Sequence, residues 1–87
     1  MTTNELAELI RRDAATYERE NKSDDRELDA QIARDVRRLH DVADAVQRGD
    51  LRDALQRFRR MDTVVREALS HKAWRALTGG RAAGHDE

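Results

Sequence analysis

The apolar side chains of the sequence recur at helical spacing in three successive segments. In the first, Leu6, Leu9, Ile10 and Tyr17 share a face, and Thr2 and Glu5 stand in capping-box spacing, so a helix is expected over about residues 3 to 21. Asn21 and Lys22 close it. Ser23 or Asp24 is then expected to cap a second helix, Asp24 having Glu27 three residues on. There Leu28, Ile32, Val36, Leu39, Ala43 and Val46 follow steps of four, four, three, four and three, the near-heptad seam of paired helices.

Gly49 can take the left-handed conformation that stops a helix, and Asp50 can cap the next, with Asp53 in its first turn. A third helix is expected to carry Leu51, Leu55, Phe58, Val65, Leu69, Ala73 and Ala76 on one face. It would stop at Gly79 and Gly80, after about 28 residues or roughly 42 Å. The reading is therefore all-α: three helices, with the second and third forming a long antiparallel hairpin and a shorter N-terminal helix packed across it. Residues 1–78 form a single domain in this reading, and 79–87 a disordered tail. The stretch GDLRDAL resembles the turn and helix start of tetratricopeptide repeats. The likeness covers seven residues and no second copy follows at the family's 34-residue period, so a solenoid is not expected.

Two residues of the third segment sit against its pattern. At 100° per residue from Leu51, the stripe centres near 0°, Asp62 falls at about 20°, and Trp74, the only tryptophan, at about 140°. A buried lone carboxylate is costly. Arg66, one turn later, is placed to pair with Asp62 at the seam. Asp13 likewise falls between Ile10 and Tyr17, and Asp35 at the margin of the second seam. Two readings are open: these groups fix the register of a subunit rim, or Asp13, Asp62 and Arg66 line a polar pocket between helices. Trp74 shares its predicted face with Gln56, Arg60, Thr63, Glu67 and Ser70. Either another helix or subunit covers it as ordinary core, or it anchors another protein together with His71 and Arg60.

Composition adds a need for partners. The 87 residues are 40% charged, and beyond Met1 only nineteen side chains are large and apolar. Chains this small usually gain stability from disulfides, a metal or association. With no cysteine, association is the expected route, most simply as a homodimer. No apolar run approaches a membrane span and the N-terminus lacks an export signal, so a cytoplasmic, soluble protein is expected.

The net charge of −1 conceals an asymmetry: residues 1–30 carry nine acids and five bases, residues 31–87 nine acids and twelve bases. Arg34, Arg37, Arg38 and Arg48 lie opposite the second seam, and Arg57, Arg59 and Arg60 cluster on the third helix. Such patterns usually mark solvated faces. Phosphate binding is the alternative, and the acidic balance, the lack of interleaved aromatics and the lack of a reading motif weigh against it.

Catalytic chemistry finds less support. There is no cysteine nucleophile, Ser23 and Ser70 lack a local signature, and no glycine-rich loop follows a strand. His40 with Asp44, and Glu67 with His71, stand one turn apart, but each pair supplies at most half a metal site. The RGD at 48–50 reads as a capping turn. The sequence thus points to a small non-enzymatic interaction module with no cofactor or metal: an adaptor, assembly factor or inhibitor of the kind encoded by phages and mobile elements. Its expected contact residues are Trp74, His71, Arg60, Arg59 and Arg57, with Asp62, Arg66 and Asp13 setting seam specificity. A nucleic-acid-associated regulator is the alternative.

Overall fold

The computed structural model describes residues 1–78. Within them lie five helices: α1 (Thr3–Glu20), α2 (Arg26–Gln47), α3 (Leu51–Arg59), α4 (Thr63–Arg66) and α5 (His71–Leu77). The expected tail at 79–87 lies outside the described residues. No helix among those described is long and apolar enough to cross a membrane.

The start of α1 follows its sequence signal. Thr2 Oγ1 accepts the Glu5 amide at 3.1 Å, and Glu5 Oε1 accepts the Thr2 amide at 2.8 Å. These hydrogen bonds to Thr2, backbone first, hold the Glu5 carboxyl below the ordinary carboxylate range. The cap of α2 is Asp25, one residue beyond the expected Ser23 or Asp24. Its Oδ1 accepts from Glu27 and Leu28 while Ser23 Oγ accepts the Asp25 amide. Three residues in a row can cap here, and Ile32, Val36 and Leu39 then face inward by their own helical spacing.

Helix α2 ends as expected at Gly49, whose φ is +83°. The Gly49 amide donates to Val46 O and the Asp50 amide to Ala45 O, both at 2.9 Å, the paired bonds of a Schellman cap. Asp50 then caps α3 through the Asp53 amide at 3.0 Å.

The expected hairpin of the second and third helices needs two corrections. First, α1 and α2 make the closest pairing in the molecule, ahead of α2 and α3. Leu6, Ala7, Ile10 and Ala14 of α1 are buried, as are Leu39, Val42, Ala43 and Val46 of α2, and the alanines let the two backbones approach. Second, the third helix is broken twice, at Arg60–Asp62 and at Glu67–Ser70. Asp62 and Ser70 both take extended, cap-type backbone at ψ 150° and 154°. Between them Thr63, Val64 and Val65 form a β-branched run, which weakens helix propensity.

Geometry favours the breaks. The 22 residues of α2 extend about 33 Å, so an unbroken third helix of roughly 42 Å would overhang it and leave its end without a surface to cover. Folding back instead buries Met61, Val65, Leu69, Ala73 and Leu77 with the rest of the core. That core is one cluster of eighteen side chains, six of them alanine, so the helices lie close around a thin interior. Leu28 and Leu51, expected in the seams, lie at the ends of their helices and stay exposed.

Candidate functional site

The residues singled out in the sequence do not gather in one place. Asp13 is half-buried on α1, and its Oδ2 accepts the Ser70 amide at 2.9 Å. Ser70 in turn caps α5 by accepting the Ala73 amide at 3.2 Å. Asp13 thus ties the start of α5 to α1. That bond satisfies a part-buried backbone donor that the break in the helix would otherwise orphan.

Asp62 is not the buried member of an ion pair. It is exposed at the cap position of α4, makes no side-chain capping bond, and among the described residues pairs with no cation within 4.0 Å. Arg66 donates instead from Nη2 to Thr63 Oγ1 at 3.1 Å, while its Nε is buried without a hydrogen-bond partner. The helical-wheel angle that put Asp62 in the stripe assumed an unbroken helix, and the turn at Arg60–Asp62 resets the phase. Asp13, Asp62 and Arg66 therefore do not gather into one polar pocket.

Trp74 and His71 do come together. They line an open groove of about 430 Å³ with Thr63, Arg66, Glu67 and Leu69. Trp74 is 41% exposed, although α1, α4 and α5 all contribute to the core beneath it. The cause is local. Ala73 and Leu77 face inward on α5, so Trp74, next along the helix, is turned to the rim. An indole held at the edge of a groove by a short capped helix, beside an imidazole and an under-satisfied guanidinium, offers apolar area and hydrogen-bond donors together.

Arg57 and Arg60 are elsewhere, in a smaller cleft of about 160 Å³ with Arg38, Asp41 and Met61. The break separates Arg60 and Gln56 from the Trp74 face they were expected to share. Arg57 Nε donates to Asp53 Oδ2 at 2.9 Å, and Arg48 Nη2 to the same oxygen at 3.2 Å. The Arg57 bond, with the Arg48 charge behind it, holds the Asp53 carboxyl below its ordinary range. Arg59 is exposed and lines neither depression. On the opposite rim Arg11 joins α1 to the end of α2 through Asp44 at 2.6 Å and Gln47 at 2.8 Å.

Among the described residues no group of three or more metal-capable side chains occurs, so neither His40 with Asp44 nor Glu67 with His71 gains a third ligand. Sequence spacing placed Asp35 only at a seam margin, yet among the described residues it is the one charged residue that is buried. Comparison with known proteins finds no matching family model, no matching curated protein and no matching solved structure.

Proposed function

We propose that the chain is a non-enzymatic protein-interaction module, an adaptor, assembly factor or inhibitor that acts by covering part of another protein with its Trp74 edge. The supporting observation is the partly exposed indole in a groove shared with His71 and Arg66. Tryptophan and arginine dominate protein-binding hot spots, and an indole left 41% exposed beside a formed core is free to contribute burial to a partner. Arg57 and Arg60, in the cleft beyond the break, and the exposed Arg59 are assigned to steering encounter at longer range. Self-association as a homodimer belongs to the same reading, through apolar side chains such as Leu51 that the single chain leaves exposed. The nucleic-acid alternative is weaker, because Arg48 and Arg57 are both engaged by Asp53.

Affinity capture from the native host with the full chain, with and without nuclease, tests this. A protein that is retained after nuclease and lost with Trp74→Ala is expected. Capture abolished by nuclease, or equal capture by Trp74→Ala, refutes it.

A further inference from the structure

A second groove, of about 380 Å³, opens on the other side of α4. Three elements meet there. The last turn of α1 supplies Tyr17, successive turns of α2 supply Leu28, Ile32 and Asp35, and the start of α4 supplies Asp62 and Val64. Its size falls within the range of about 300–1,000 Å³ typical of ligand pockets. The apolar walls include two exposed side chains, Leu28 at 47% and Val64 at 66%.

The charges in this groove are of one sign. Asp35 and Asp62 line it, and no arginine, lysine or histidine does. Asp35 is only 6% exposed. Among the described residues its one cation is Arg38 at 3.9 Å, the outer limit of an ion pair, and Arg38 lines the neighbouring cleft. Tyr17 lies beside the carboxylate. Burial first, and then Asp35 and Asp62, raise its phenol above the usual value. A largely buried carboxylate whose cation stands at 3.9 Å is weakly compensated, and a cation arriving from outside would relieve that deficit.

We infer that this groove is a docking site for a segment of a partner protein that presents an arginine or lysine between aliphatic side chains. The aliphatic stem of that residue lies along Leu28, Ile32 and Val64, and its charged head reaches Asp35, with Asp62 at the mouth. The aliphatic neighbours cover the exposed leucine and valine. Charge complementarity selects this occupant: an acidic or neutral segment would leave both carboxylates uncompensated. The site is independent of the Trp74 groove, which has different lining residues.

The test pans a displayed library of random peptides on the full chain and resynthesises each selected peptide with citrulline in place of arginine, or norleucine in place of lysine. The expected result is a class of basic-aliphatic peptides whose affinity falls at least about tenfold with Asp35→Asn and with the neutral peptide. Val64→Lys, at a surface position that leaves the core untouched, is expected to weaken them similarly. Trp74→Ala is expected to leave them unchanged, so this site and the Trp74 edge fail separately. The inference is overturned if no selected peptide depends on Asp35 or Val64, or if the neutral peptides bind equally well. It is also overturned if sedimentation finds a dimer that Val64→Lys dissociates, since a second copy then occupies the groove.

Discussion

Replacing Asp13 with alanine removes the carboxylate that binds the backbone at the start of α5. The lost bond is charge-assisted, 2.9 Å long, and made to a backbone amide that is only partly accessible. Hydrogen bonds to charged groups contribute about 1.5–3 kcal/mol net, and a buried donor left unpaired costs a similar amount. Asp13 is half-exposed, so water replaces part of the loss, and about 1.5 kcal/mol of destabilisation is expected. For a domain of this size that lowers Tm by roughly 6–12 °C.

Asparagine keeps an acceptor oxygen at the same reach and gives up only the charge, so Asp13→Asn is expected to cost about 0.5 kcal/mol. Urea denaturation of the three proteins, followed by backbone circular dichroism, gives the free energies. Trp74 emission, four residues beyond the tied amide, reports α5 itself. The reasoning fails if alanine changes stability by less than about 0.3 kcal/mol, or if asparagine is as damaging as alanine.

Other consequences are equally direct. Gly49 has φ +83° and open space where a Cβ would stand, so Gly49→Ala meets backbone strain alone. It should lose about 1–2 kcal/mol in denaturant titration, with Gly49→Asn losing less. The raised phenol of Tyr17, the only tyrosine, means that the unfolded chain loses its phenolic proton first as pH rises. That contribution to stability is complete below about pH 10 and is lost as pH climbs through the folded-state value. Ultraviolet titration of the phenolate should detect the raised value in the folded chain and a return toward normal with Asp35→Asn. An ordinary value in the unsubstituted protein would remove the carboxylate from the vicinity of Tyr17.

The parts of the fold that were legible in the sequence are those fixed by local chemistry. The Thr2–Glu5 box, the Gly49–Asp50 junction and the α2 periodicity each depend on residues within a few positions, and the structure follows them. The breaks in the third helix depend on length matching against α2, which a helical wheel does not contain. Their local signals were nonetheless present. Asp62 and Ser70 are cap-forming residues, and Thr63–Val64–Val65 follows the first. An acid inside an apolar stripe suggests an ion pair with Arg66 at the seam, and it is equally a signal that the helix restarts. Trp74 stayed legible because its position relative to Ala73 and Leu77 is set within one turn of α5. Asp35 did not, since its burial is produced by the approach of α1 to α2.

The central claim is that Trp74 serves a partner more than it serves the fold. Its direct test is Trp74→Ala, with unfolding free energy and affinity for the captured partner measured on the same samples. The account expects stability to change by less than about 1.5 kcal/mol, well short of the 3–5 kcal/mol of a core tryptophan, and affinity to fall by about 2 kcal/mol or more. A protein that loses core-scale stability while its residual folded fraction binds as tightly as before would contradict it.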